Sequence, residues 1–486
     1  LWLRGLLLCG LLLILLYLAA PRLYAATVIV TTTSDSGPGS LRQAIADAAP
    51  GDTITFAADL SGQTILLRTT LTLTKDVTLT GSTIATPITL SGNRTVRVLA
   101  VESGVNATLS ALIIADGRSD QGGGLYNQGR TTLDHLHFTR NRAANGGGIY
   151  NLQQLIIDNS TFSTNRAPED AWLFSDGGGI ANRGYLQVSN SRFDKNEAAS
   201  GGAIGSTTSL TITQSSFHQN RAIYGGAINA GGNNTLLVNA SVFIGNQAHQ
   251  FGGAITTHIT TTIRSSTFRE NRATLGSAIR YFNNMTVFNS TFSANRGSVL
   301  TNSGSMFSFG ALSIYNSTVV GNEAPYGAVA AYDGFQLYNS IIAHNQGRDC
   351  VVTPVPNINS LISDSSCTAA LTGDPRLGPL QPANDDRQAY LLLPDSPAID
   401  AGDNATCQAD DQHGAPRPVD GNGDGIAACD IGAVERQPIT ANAEIYLQGN
   451  QHWISNGANL PDRANHTDFG QTNQPYASLT RTFVIS

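Results

Sequence analysis

The chain has 486 residues and a formal net charge of −7; only 13% of its side chains are charged, against 50 Gly. That is about half the usual charged share, and the acidic balance excludes nucleic acid as the main partner, since that would need a basic face. Abundant Gly, Thr, Ser and Asn favour β structure with many tight turns, in a length that suits two ordinary domains or one long repetitive one.

Residues 1–26 combine Arg4, an apolar run from Gly5 to Leu18, and small residues at Ala25 and Ala26. This is the pattern of a secretory signal peptide, cut after Ala25 or Ala26. The run is short for a membrane anchor. Cys9 is followed by more apolar chain, which argues against a lipoprotein site. Export is therefore expected, to the cell surface or the medium, with no membrane span in the mature chain. The start at Leu1 fits an alternative codon or a fragment. Residues 27–62 read as a strand and a short amphipathic helix over Ser40–Ala48, with a capping box at Ser40 and Gln43. The helix is expected to cover the open end of the structure that follows.

Residues 63–372 carry a repeat. Gln63 to Gly117 alternates less regularly, as in TLTLTKDVTLT, and reads as early coils. Beyond it an Asn recurs at Asn141, Asn165, Asn196, Asn220, Asn246, Asn271, Asn295, Asn322 and Asn345, in steps of 24, 31, 24, 26, 25, 24, 27 and 23. Phe stands three residues before the first seven, from Phe138 to Phe292, and Gly-rich blocks such as GGGIYN keep the same beat. A fixed period of this size means stacked units. Alternation such as LTITQSSF, with β-branched residues, indicates strands, and a 24-residue unit has no room for a helix as well. Each unit is thus one coil of a parallel β-helix. Phe and Ile point inward and stack at about 4.8 Å. The Asn is expected at a turn, tolerating the left-handed conformation and laddering its amide. The 31-residue step holds an inserted loop between Ala167 and Phe174.

After the repeats come Cys350, Cys367, Cys407 and Cys429. An even count in an exported chain suggests disulfides. Three pairings are open, of which the local ones, Cys350–Cys367 and Cys407–Cys429, are favoured because they staple the polar loops. Zinc is disfavoured, because no C-x-x-C pair exists. Residues 373–436 read as a C-terminal capping section, 437–443 as a linker and 444–486 as a further β segment.

The stretches GSLRQAIADAAPGDTITF and GGGIYN…STFSTN resemble bacterial right-handed β-helix surface proteins with polymorphic outer membrane protein-like repeats. Gly373 to Glu435, with GDPRLGPL, LLLPDSPAIDAG and DGNGDGIAACDIGAVE, is similar to the closing section of choice-of-anchor Q proteins. The tail, from EIYLQGNQHWISNGANLPDR to LTRTFVIS, resembles the opening strands of a choice-of-anchor D module, an immunoglobulin-like sandwich of which only the first part is present. These resemblances imply an all-β chain: a right-handed, single-stranded, pectin-lyase-like β-helix followed by a truncated immunoglobulin-like segment. The leading expectation is a non-enzymatic exported protein of adhesion or surface display, a monomer, with a polysaccharide or a host or neighbouring cell surface as the candidate partner.

The fold also includes polysaccharide lyases and hydrolases, but activity must be argued from a site. Asp134 and Asp158 lie four residues before the Phe in consecutive coils, so they are expected outside and in register. Such a pair suits calcium or glycosidic acid chemistry; the plainer reading is two solvated side chains. The column continues as Ser189, Thr213, Asn239 and Arg264, so no third acid joins it. A second column follows the turn Asn: Arg142, Arg166, Glu197, Arg221, Gln247, Arg272 and Arg296. Its five Arg suit a linear anionic polymer, or simply keep a turn edge soluble. Finally, DGNGDG at Asp420–Gly425 has the spacing of a calcium loop, though Ile431 replaces the usual Glu. Asp420, Asn422, Asp424 and Asp430 are candidate ligands for a structural calcium ion, against an ordinary Gly-rich turn. No other cofactor is expected. Asn-x-Ser/Thr sequons such as Asn159 and Asn316 arise from the repeat itself.

Overall fold

The computed structural model describes residues 25–167, 176–297, 305–308, 310–382 and 386–437, with three short strands beyond them. Each regular coil contains three strands. In one, Arg130–Asp134 lies in a first sheet, His137–Thr139 in a second and Ile149–Asn151 in a third. Alternation decides the faces: Thr131 and Leu133 are buried while Arg130 and Thr132 are exposed. The first and second sheets each have 14 strands and the third has 11. Every strand pairs in parallel with its equivalent one coil away, as Phe138 with Phe162 and Ile149 with Ile180. This is the all-β parallel β-helix expected from the period.

The seven Phe form one internal stack. Ring centroids from Phe138 to Phe292 are 4.7–5.0 Å apart and the planes are nearly parallel. All seven are fully buried, each burial contributing about 2–3 kcal/mol.

The Asn ladder is equally regular. Each Nδ2 donates to the Oδ1 of the next Asn at 2.8–3.0 Å, from Asn141 through to Asn345. From Asn165 to Asn322 the second Nδ2 hydrogen goes to the carbonyl of a Phe, as Asn165 to Phe138, while Asn141 and Asn345 use the carbonyls of Ile114 and Val319. One expectation is corrected. The left-handed backbone belongs to the residue before the Asn, as at Arg140, Thr164, Lys195 and Gln219, and none of these ladder Asn has positive φ. The preceding residue turns the corner, which leaves the Asn side chain directed inward where its amide can reach both neighbouring coils.

Two further ladders are present. Ser160, Ser191, Ser215, Ser241, Ser266, Ser290, Ser317 and Ser340 are buried, and each hydroxyl accepts from the backbone of the coil before. Asn127, Asn151 and Asn182 form a shorter amide ladder. The Gly pairs mark the third corner. Gly146 has φ +64, and a Cβ on Gly147 would come within 2.5 Å of the Gly178 carbonyl oxygen, so two coils approach there as only glycine allows.

The N-terminal helix spans Leu41–Asp47, with Ser40 accepting from the Gln43 amide. The expected box is half formed: the Gln43 side chain donates to Asp47 instead of returning to Ser40. Leu41, Ala44 and Ile45 are buried in the main core beside the first coils.

Residues 386–437 run along the outside of the last coils, at the corner between the first and second sheets. Asn289 donates to the Asp410 carbonyl, Asn316 accepts from Gln408 and Asn339 exchanges two bonds with Asp403. Gln412 bridges Thr267 and Thr291. A second core of Ile341, Ala343, Leu361, Leu392, Ala398, Ile399 and Ile431 lies beneath. Disulfides join Cys350 to Cys367 and Cys407 to Cys429, with Cα atoms 6.1 and 6.0 Å apart. In the tail, Leu447–Gly449 pairs antiparallel with His452–Ile454 and with Phe483–Ile485. Most of the expected signal peptide, up to residue 24, the inserted loop at 168–175 and the rest of the tail lie outside the described residues.

Candidate functional site

The arginine column arises from alternation. The ladder Asn points inward, so the next residue points outward on the following strand. Pairing runs in register from Arg142 to Arg166, Glu197, Arg221, Gln247, Arg272, Arg296 and Glu323. Arg142, Arg166, Arg221, Arg272 and Arg296 are all exposed. Two Arg meet acids of the same column: Arg166 binds Glu197 at 2.8 Å and Arg296 lies 3.6 Å from Glu323.

Arg118 extends the column by one coil, pairing with Arg142. A reading keyed on the turn Asn passes over it, because Gly117 occupies that position. The step of 24 from Arg118 to Arg142 is the signal that finds it.

At this end the column opens into a cleft of about 310 Å³ lined by Arg94, Arg118, Arg140, Arg142, Arg166 and Asp116, with Gly117, Asn141 and Thr164. Asp116 braces the wall. Arg140 donates to it from Nε at 3.1 Å and Nη2 at 2.8 Å, and Arg94 lies 3.5 Å away. The Arg140 fork holds the Asp116 carboxyl below its ordinary value, over the opposing effect of partial burial, and Arg94 adds to the lowering. Arg140 is itself raised by Asp116. Arg94 and Arg140 lie outside both sequence columns, and their convergence is a product of coil stacking.

Asp134 and Asp158 pair in register on the first sheet, half-exposed. Asn159 bridges them, donating to Asp134 at 3.1 Å and Asp158 at 2.9 Å. Asp134 also meets His135 Nδ1 at 2.8 Å, and Asp158 accepts from Ser189 and Asn190. Partial burial acts to raise the Asp134 carboxyl, but the hydrogen bonds from His135 and Asn159 outweigh it and leave it below its ordinary value. A general acid for glycosidic cleavage needs the opposite shift. The column continues through Ser189, Thr213, Asn239 and Arg264.

In the loop 420–425 the polar atoms serve the loop's own backbone. Asp420 accepts from Gly423 and Gly425, Asn422 from Asp424, and Asp424 from Ile426. Asp430 is buried apart from that loop, accepting from the amides of Asp400 and Arg436. Among the described residues, no group of three or more His, Cys, Asp or Glu stands together in a way that could hold a metal ion.

Asp430 belongs to a buried charge cluster. Arg417 lies 3.4 Å from Glu435 and donates to the carbonyls of Asp430 and Gly432. Burial, then the nearby Glu435, pushes the Asp430 carboxyl up to about 7, against the lowering effect of its amide donors and Arg417.

No family model matches the chain, and no curated protein matches it. Among solved structures it is similar to the pectate lyase Pel9A, with 14% identity over 86% of this chain and 98% of that chain and a TM-score of 0.37. No described helix is long and apolar enough to cross a membrane.

Proposed function

We propose that the protein is an exported β-helix that binds an extended acidic polysaccharide along the arginine column, as an adhesin-like surface protein, without cleaving it. The observation that carries this reading is the register of Arg118, Arg142, Arg166, Arg221, Arg272 and Arg296 on one edge. Stacked coils repeat at about 4.8 Å, so the edge presents fixed guanidinium forks to a linear polyanion. Arg pairs with carboxylate or sulfate in a bidentate way that a mobile Lys does not. The apolar N-terminal segment and the two disulfides support export. The sequence of 373–435 supports placing the chain among choice-of-anchor Q surface proteins with polymorphic outer membrane protein-like repeats.

The second reading, a lyase or hydrolase acting on an acidic glycan, is favoured by the Asp134–Asp158 pair alone. The reading is tested by retention of the full chain on an acidic polysaccharide column across a salt gradient. Exchanging Arg221→Ser together with Arg272→Ser removes two exposed charge contacts of about 0.5–1 kcal/mol each, a roughly tenfold loss of affinity. The double variant is expected to elute at lower salt, and unchanged elution would overturn the column as a binding edge. Unsaturated product or new reducing ends in the same incubation would overturn the non-cleaving reading and make Asp134 and Asp158 the residues to exchange.

A further inference from the structure

The arginine edge lies at the corner between the second and third sheets, and the outer face of the first sheet has a different chemistry. In its early coils that face holds a concavity of about 240 Å³ lined by Asn106, Thr108, Arg130, Thr132, Gln154 and Ile156. Asn106, Arg130 and Gln154 stand in register in three successive coils, and Tyr185 follows in the fourth. Asp76 accepts from the Asn106 Nδ2 at 2.8 Å, which fixes the rotation of that amide. The Tyr185 residue is 48% exposed, and its hydroxyl donates to Gln187. Planar amide and guanidinium groups beside an exposed ring are the means by which a site orients a hydroxyl-rich ligand and packs its C–H face.

The floor of the concavity belongs to a longer row. One outward row of the first sheet runs in register from Thr27 through Thr132, Thr211 and Thr286 to Gln336. None of its thirteen residues is charged, and eight are Thr. A surface with an ordinary charged share of about 25–35% would carry roughly three or four charges there. Stacking does not forbid them, since the adjacent row sets Asp134 beside Asp158 and the arginine edge sets Arg118 beside Arg142. The two Asp also leave the face around Arg130 without excess positive charge, so an acidic polymer gains nothing here. Hydroxyls both donate and accept, and at a repeat of about 4.8 Å they match a ligand whose own hydroxyls recur at that interval. An extended β-1,4-linked chain advances about one strand spacing per sugar. A protein partner would need a largely apolar core to its interface, whereas along this row the apolar side chains stand singly, at Ile156 and Leu237.

We infer that this concavity binds one sugar of an extended, uncharged β-1,4-linked polysaccharide, whose chain continues along the uncharged row. Asn106, Arg130 and Gln154 hydrogen-bond the hydroxyls of that sugar, and Tyr185 packs against the next one. The site does not depend on the arginine edge. The edge takes charged polymer and the first sheet uncharged polymer, so one molecule can hold two kinds of glycan at once.

Titration calorimetry of the full chain with cellohexaose, xylohexaose and mannohexaose tests it. At least one hexasaccharide is expected to bind, with an affinity that salt leaves unchanged, because no ion pair forms. Gln154→Ala with Tyr185→Ala should weaken that binding roughly tenfold, through one lost hydrogen bond and one lost ring contact. Tyr185→Phe keeps the ring and should bind nearly as the parent does. Thr132→Lys, which sets a long charged side chain over the floor, should also weaken it. Arg192→Ser, an exposed change on the second sheet, should leave it unaltered. All these side chains face outward, so an unchanged melting temperature shows that each variant is folded. Binding of none of the three hexasaccharides would overturn the site, and so would equal binding by the parent and the double variant. Binding that weakens steeply with salt would overturn it as well, because it would belong to the arginine edge.

Discussion

Asn220 shows how much one side chain can carry in a stacked fold. Its amide donates to Asn246 and to the Phe193 carbonyl, and its oxygen accepts from both the side chain and the backbone of Asn196. All of these groups are buried. Replacing it with Ala leaves several without partners, at about 1–3 kcal/mol for each buried group. Asn220→Ala is expected to lower stability by about 3 kcal/mol or more in urea unfolding, and a loss under 1 kcal/mol would show that neighbouring coils repair the gap. The ladder was legible as a period of Asn, because repetition at 23 to 31 residues needs no knowledge of contacts. Its corner geometry was not. Sequence alone does not say whether the Asn or its predecessor turns the chain, and Arg140 or Lys195 in a left-handed conformation goes against single-residue preference.

At the scale of the element, the C-terminal section is held by a charge cluster that couples its stability to pH. Asp430 has a folded pKa of about 7, against 3.8 for an ordinary Asp. Below about pH 4 the carboxyl is protonated in both states, and its contribution to stability is fully present. Between about pH 4 and 7 the unfolded chain gives up the proton while the native one holds it, so stability falls as pH rises. Above about 7 the contribution is lost. The fall is on the order of 4 kcal/mol. Asp430→Asn keeps the shape and removes the titration. Melting temperatures from pH 4 to 8 should therefore fall more steeply in the parent than in the variant, and parallel curves would assign the titration elsewhere. The sequence placed Asp430 beside a calcium-like loop, but side-chain proximity decided otherwise: Asp430 turns to Arg436 and Asp400, whereas Asp420 and Asp424 bind their own loop's amides.

For the molecule as a whole, two kinds of cohesion coexist. Coils stack through the Phe, Asn and Ser ladders, each touching only its neighbours, so the β-helix gains stability coil by coil. The section 386–437 instead docks sideways, joining residues more than a hundred positions apart in sequence, as Thr267 to Gln388 and Gln412. Gln412→Ala leaves the hydroxyl of Thr291 without its acceptor and frees Thr267 from one partner. It is expected to speed amide exchange across 386–437 about tenfold, at roughly 1–2 kcal/mol of local stability, while the coils around Phe162 and Phe193 exchange as before. Uniform acceleration across the chain would mean that section and solenoid unfold together. At this scale the charge also divides. On a chain of net charge −7, six exposed arginines share one edge, so the binding proposed for that edge would be local and would weaken with ionic strength.

Whatever depends on period is already written in the amino-acid order. Steps near 24 residues, alternation within the step and a recurring Phe and Asn require a stacked β solenoid, place Phe138 to Phe292 inside and put Arg142 to Arg296 on one edge. The local Cys pairs were legible for a similar reason, being close along the chain. Tertiary structure decided what depends on closeness between residues of different register. Arg94 and Arg140 belong to no column, yet stacking sets them around Asp116 and makes a cleft of what reads as a stripe. The sideways course of 386–437 was likewise hidden, because its polar partners, Asn289, Asn316, Asn339 and Thr267, look in sequence like ordinary repeat positions facing solvent. A period predicts which residues share a row; only the folded chain decides which rows meet.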